Sequence, residues 1–381
     1  METDIQHLIN IRQTLHQNPE LSGFEEYTAE ALKRTIIRYQ PDEIIDNLGG
    51  FGVAFVFKGL EPGPTVLFRA DMDALPIKEI NVIDYASRAH GVGHQCGHDG
   101  HMAILVGLAG HISKNRPQKG KVVLLFQPAE ETGEGALAVI NDPNFHRITP
   151  EFCYALHNIP GFTKGSILLK NNTFTAASQG ITVKLFGKTS HAAEPEKGIS
   201  PALALSKIIE AITILPNKKD LFSDYVLATI VHAQLGERTF GTTPGQAEVL
   251  ITLRSFEDSD MDVLIQQVEN SIKEIADSHG LKSELSFTDI YPSTQNNPSQ
   301  VQQVKEGAEE LGYKVVFLDK PMPWAEDFSQ FSKLFKSVFF GLGAGEEHPK
   351  LHNPDYNFPD DIISYGVGLF YKIYEQHFTI R

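Results

Sequence analysis

The chain has 381 residues, 41% of them hydrophobic, and 33 Lys and Arg against 48 Asp and Glu leave a formal net charge of −15. That balance argues against nucleic acid or an anionic membrane surface as a main partner, and no apolar run approaches the roughly 20 residues of a membrane span. The length exceeds that of one usual core, so two domains are expected; two cysteines, Cys96 and Cys153, make a disulfide framework improbable.

The start, Met1-Glu-Thr-Asp-Ile-Gln-His7, lacks a charged-then-apolar leader pattern, which makes the cytoplasm the simplest location. From about Asp4 to Arg38 the periodicity is helical. The apolar run Thr65-Val-Leu-Phe68 then reads as a strand that delivers Arg69-Ala-Asp71-Met-Asp73 at its end. Gly93-His-Gln-Cys-Gly-His-Asp-Gly-His101 follows, with three imidazoles, a thiol and a carboxylate in nine residues. Core packing does not call for that density, and the mixture of sulfur and nitrogen suits Zn²⁺, with Mn²⁺, Co²⁺ or Ni²⁺ as substitutes. The apolar run after His101 predicts a buried helix, with the cluster on the loop leading into it.

Three more strand-like runs end in ligand types. Lys121–Phe126 leads to Gln127-Pro-Ala-Glu130-Glu131, Glu151–Leu156 to His157-Asn158, and Val338–Phe340, through a Gly-rich turn, to Leu351-His352-Asn353-Pro354. Four strands presenting polar residues at their carboxyl ends are what an open α/β sheet uses to build a site along one edge. Cys96, His98, Glu131, His157 and His352 are five candidate ligands, too many for one catalytic ion with an open position, so two divalent ions fit better. On an extended backbone the adjacent Glu130 and Glu131 diverge. One can then bind metal while the other, Glu130, serves as general base for hydrolysis.

Near Thr175–Gly180 the pattern changes. Strand-like Ile181–Phe186, a helix from Ser200-Pro201 to Ile212, strands Tyr225–Gln234 and Ala247–Phe256, a helix Asp260–His279 and a strand Lys282–Phe287 form a ferredoxin-like order. The expected division is therefore a catalytic domain in two parts, 1–176 and 291–381, around an inserted α+β domain at 177–290. Arg254 in the insert has the planar fork that pairs with a substrate carboxylate, an inter-strand ion pair being the equal alternative. Gly187-Lys-Thr189 lacks the first glycine of a phosphate loop, and Gly341-Leu-Gly-Ala-Gly345 lacks the spacing of a dinucleotide loop.

In order, R-A-D-M-D-A-L-P from Arg69, G-H-Q-C-G-H-D-G-H, Q-P-A-E-E, A-L-H-N, G-K-T-S-H-A-A from Gly187 and L-H-N-P resemble the amidohydrolase branch of the aminoacylase and carboxypeptidase metallopeptidases. The resemblance runs from H-Q-N-P-E-L-S at His16–Ser22 to the last histidine motif. It implies an α/β zinc-peptidase-like catalytic domain whose inserted ferredoxin-like domain is a lid and dimerisation surface. It also implies metal ligands Cys96, His98, Glu131, His157 and His352, with Glu130 as base. Asp71 stands where related peptidases keep an Asp that orients a ligand, and Arg69 where they keep a metal-binding His, a ligand that His98 replaces. His191 corresponds to a His that reaches a neighbour's site to stabilise the oxyanion. Pro323-Trp-Ala-Glu-Asp-Phe328 contains an E-D-F that the family has near its site, though a helix start is nearly as good a reading. The family's Asn is absent at Gly241. The expected activity is hydrolysis of N-acyl amino acids or related amides by a cytoplasmic homodimer or higher homo-oligomer. A dipeptidase or carboxypeptidase with the same site is the alternative, and a non-catalytic metal sensor a third, which would have no need of Glu130.

Overall fold

The computed structural model describes residues 4–378; residues 1–3 of the opening segment read above lie outside it. The chain divides into two compact units, one of residues 1–174, 294–320 and 327–381, the other of residues 175–293 and 321–326.

The first unit opens with two helices where the sequence suggested one stretch, α1 Ile5–Gln17 and α2 Glu26–Ile36. The break falls at Asn18-Pro19 and at Gly23, whose φ of +80° glycine tolerates best. The strands β1 Glu43–Leu48, β2 Gly52–Lys58 and β3 Glu61–Asp71 follow, then helix α3 His98–Lys114 and strands β4 Lys119–Gln127 and β5 Phe152–Pro160. They join one eight-stranded sheet in the order β1-β2-β4-β3-β5, then Lys336–Gly345, Ile167–Leu169 and Val315–Phe317. At its centre β4, β3, β5 and Lys336–Gly345 are parallel, in registers that set Asp71 beside Gln127 and His157 beside Gly341. Phe68, Phe126, Tyr154 and Phe340 are fully buried in the core that this sheet shares with α3 and the helix Ile363–His377. Each such side chain is worth about 1.5–3 kcal/mol of burial, which makes the sheet a stiff frame for what its ends carry.

Two local expectations change. Lys336–Gly345 is strand throughout, so its glycines lie in the sheet rather than in a turn. Gly341 is there because strand residue Ile159 and Leu168 crowd it; an added Cβ would meet Ile159 at 2.5 Å. Among the described residues no helix is long and apolar enough to cross a membrane.

The second unit contains a four-stranded antiparallel sheet ordered Val226–Leu235, Gln246–Ser255, Ala177–Phe186, Lys282–Tyr291. Helices Ala202–Ile214 and Asp258–Ser278 complete a strand-helix-strand-strand-helix-strand chain order, the ferredoxin-like arrangement. Along Gln246–Ser255 burial alternates residue by residue, because one face packs Val249, Ile251 and Leu253 on the helices and the other does not.

Candidate metal centre

A strand, the first turn of a helix and loops of the first unit bring the five proposed ligands together. Atoms of Cys96, His98 and His157 lie within 4.8 Å of one another, and so do those of Cys96, Glu131 and His352. Cys96 is the shared corner: its Sγ is 3.4 Å from His157 Nε2 and 3.3 Å from His352 Nε2.

Local backbone explains the convergence. α3 begins at His98, earlier than expected, so His98 and His101 sit one helical turn apart on one face rather than on a loop. Gly97 ahead of it has φ +92°, and a Cβ there would stand 2.5 Å from Asn158 Oδ1. His157 is inside β5, in a position where its ring points out of the sheet toward Cys96. The two adjacent glutamates follow Ala129, at φ +52°, and occupy a turn, not the extended backbone of the sequence reading. They therefore do not diverge fully, and both place an oxygen within 4.8 Å of a nitrogen of His98. Glu130 is almost completely buried, and its Oε1 accepts the Asp327 N–H at 3.4 Å.

The electrostatics fit a cation. His98 Nδ1 donates to the Asp73 carbonyl at 3.0 Å and His157 Nδ1 to the Asn158 carbonyl at 2.9 Å, so each ring turns Nε2 toward the centre. Burial would lower the His98 pKa, but Asp71, Asp73 and Glu131 raise it to about 10. Burial, with Asp73 and Asp71 adding to it against His98, pushes the Glu131 carboxyl up to about 7. Burial and then Glu131 and Glu130 push the Cys96 thiol well up. Burial and the neighbouring His101 push His157 well down, and burial and His98 lower His352. The cluster thus holds protons on the groups that a metal would deprotonate, while two imidazoles keep their lone pairs. His98 Nε2 and Glu131 Oε1 are buried without a hydrogen bond, at atoms facing the centre. The donor set of one sulfur, three imidazoles and one carboxylate suits Zn²⁺ and its borderline neighbours.

Of the remaining predicted residues, Asp71 accepts from Arg69 Nη1 and His101 Nδ1 at 2.7 and 2.6 Å and stands 3.8 Å from His98 Nε2. Burial opposes its charge, but His98, His101 and Arg69 hold its pKa well below the usual range. Arg254, in the second unit, donates to the Pro323 carbonyl at 2.9 Å, so its partner is a backbone oxygen and not the carboxylate of an inter-strand pair. His191, also in the second unit, is exposed on a two-stranded ribbon in which it faces Thr242. Sequence reading counted His101 in the cluster but gave it no role; its Nδ1 faces Asp71 Oδ1, and its Nε2 lies against Asn158, near Oδ1 and the backbone N–H that points at it from 3.3 Å. Its spacing from His98 was the available signal.

A family model described as "Peptidase family M20/M25/M40" matches residues 67–376. The chain belongs to that family. It is 29% identical to the hippurate hydrolase of Campylobacter jejuni over 95% of this chain and 94% of that one. It is 30% identical to the N-acetyldiaminopimelate deacetylase of Bacillus subtilis, covering 96% and 98%. The crystal structure of a dinuclear metal-binding peptidase of family M20 from Bacillus subtilis superposes with a TM-score of 0.83 at 28% identity, over 97% and 96% of the two chains. Its fold and this one are the same M20 architecture.

Proposed function

We propose that this M20 member is a dinuclear metal-dependent amidohydrolase that converts an N-acyl amino acid or a related amide, plus water, into a carboxylate and an amine. The observation that carries the reading is the pair of ligand triads meeting at Cys96, with Glu130 alongside. The relatives named as hippurate hydrolase and deacetylase support the substrate class. Cys96, His98, Glu131, His157 and His352 would hold two divalent ions, Zn²⁺, Mn²⁺, Co²⁺ or Ni²⁺. Such ions polarise an acyl oxygen and make water a nucleophile near neutral pH. Glu130 takes the proton of the attacking water at its carboxylate and returns it to the leaving nitrogen. Asp71 does not touch the reacting atoms; held by Arg69 and His101, it supplies fixed negative charge beside His98.

Arg254 is the proposed contact for a substrate carboxylate, by its planar fork. The protein works as a cytoplasmic homodimer or higher homo-oligomer on a small-molecule substrate, through the inserted segment 177–290. His191, in the G-K-T-S-H-A-A motif and exposed, then serves the site of a second copy as oxyanion donor. A mixture of His191→Ala and Glu130→Gln homodimers, each nearly inactive, unfolded and refolded together, regains activity in about a quarter of its sites. No recovery, with mixed dimers confirmed by mass spectrometry, refutes action across copies.

The function itself is tested by metal titration together with a panel of N-acetyl, benzoyl and longer-acyl amino acids. Stoichiometry approaches two ions per chain at saturation, with Cys96 protected from alkylation, and turnover appears on at least one amide. Occupancy that stays at one ion after trials with all four metals defeats the dinuclear arrangement; two ions with no turnover on any amide defeats the hydrolase.

A further inference from the structure

The matched region begins at residue 67, yet the segment before it reaches three stretches that carry proposed ligands or lead to them. Arg12 Nη1 and His16 Nδ1 meet Asp99 at 3.0 and 2.8 Å, next to His98. Glu25 Oε1 accepts the N–H of Ala129, next to Glu130, at 2.8 Å. Between these, Glu20 O accepts the Ala74 N–H at 2.8 Å and Leu21 bridges to Ala74. Leu75 in turn exchanges both backbone bonds with Gly93, the start of the loop that carries Cys96. The segment around residues 20–22 is therefore stitched through residues 73–75 to the metal loop.

At the centre of this stitching is one fully buried carboxylate. Asp73 Oδ2 accepts the Glu131 N–H at 2.9 Å and the Ser22 hydroxyl at 2.7 Å, while Oδ1 stands 3.3 Å from His98 Nδ1, which donates to the same residue's carbonyl. One side chain thus touches the backbone of one proposed ligand and the ring of another, and a residue from the N-terminal segment holds it in place. Groups that orient a ligand ring or its backbone tune metal affinity, and losing one costs about 10–100-fold.

We propose that Asp73, locked by Ser22, is a positioning residue that fixes His98 and Glu131 relative to each other. The proposal rests on the dinuclear reading above. Asp73 holds His98 by Nδ1, leaving Nε2 to face Glu131, and holds Glu131 by its backbone N–H, so it would act through the ligands.

Cobalt tests it in the full-length, metal-stripped protein. Affinity is read by competition with a chromogenic chelator, and ligand geometry by the visible cobalt spectrum at saturation. Asp73→Asn, near-isosteric but uncharged, weakens the tighter or the weaker cobalt site by about 10–100-fold and alters the saturated spectrum. Ser22→Ala shifts affinity in the same direction by less, Ser22→Thr restores it, and the double variant is no weaker than Asp73→Asn alone, because both act through one carboxylate. The serine variants carry the test if Asp73→Asn does not fold. Affinity and spectra within twofold of wild type for Asp73→Asn, or for Ser22→Ala where only that variant folds, overturn the proposal while leaving the metal centre intact. A wild-type protein that takes up neither cobalt nor any of the other three metals overturns the dinuclear reading and this proposal with it.

Discussion

Glu130→Gln lowers kcat by roughly 10²–10⁴ while the metal content stays at its wild-type value. The amide keeps the size of the side chain and its ability to accept the Asp327 N–H, but it can no longer take a proton from water. Glu131→Gln gives the opposite signature. Glu131 places an oxygen 3.8 Å from His98 Nε2 and 3.7 Å from His352 Nε2, so losing its charge weakens metal binding, and activity returns in part when metal is raised. Atomic absorption and kcat measured side by side on both variants separate the roles. The two patterns interchanged would mean that the base is Glu131.

Arg69→Ala destabilises the first unit by about 3–5 kcal/mol, the cost of stripping one partner from a buried ion pair. Arg69 is fully buried, and its guanidinium donates from Nε to Gln127 Oε1 at 2.9 Å, from Nη1 to Asp71 at 2.7 Å and from Nη2 to Asp327 at 2.7 Å. Removing it takes a cation from two buried carboxylates, Asp327 and Asp71, of which Asp71 keeps His98 and His101, in a region sealed from water. Arg69→Lys recovers little, because a point charge cannot span the three acceptors that the planar fork reaches at once. By contrast Lys33→Ala, which breaks a partly exposed pair with Glu30, costs under about 1 kcal/mol. Urea unfolding of the three metal-free variants, followed on the transition of the first unit, compares them. A loss below about 1 kcal/mol at Arg69→Ala would show that Asp71 and Asp327 are solvated or protonated instead of depending on it.

Chemistry-bearing residues were legible in the chain wherever local order and composition carry the signal. The nine residues from Gly93 to His101 announce metal chemistry by density alone, and apolar runs ending in Asp71, Glu130 and His157 locate parallel strands by their delivery of polar groups at one edge. The strand-helix alternation of 181–287 likewise states a ferredoxin-like order, since each element's period follows from its own backbone. Only the folded chain decided which polar groups meet. α3 starts at His98 because Gly97 takes a left-handed φ beside Asn158, a contact 61 positions away in sequence. Glu130 and Glu131 sit in a turn set by Ala129, whose N–H is held by Glu25 from 104 residues upstream. Ser22 and Asp73 share a hydrogen bond across 51 residues, and Arg69 and Asp327 an ion pair across 258. No periodicity carries such pairings: side chains distant along the chain come within 3 Å only when the parallel sheet and α3 have packed, and burial then turns each of those bonds into an obligation.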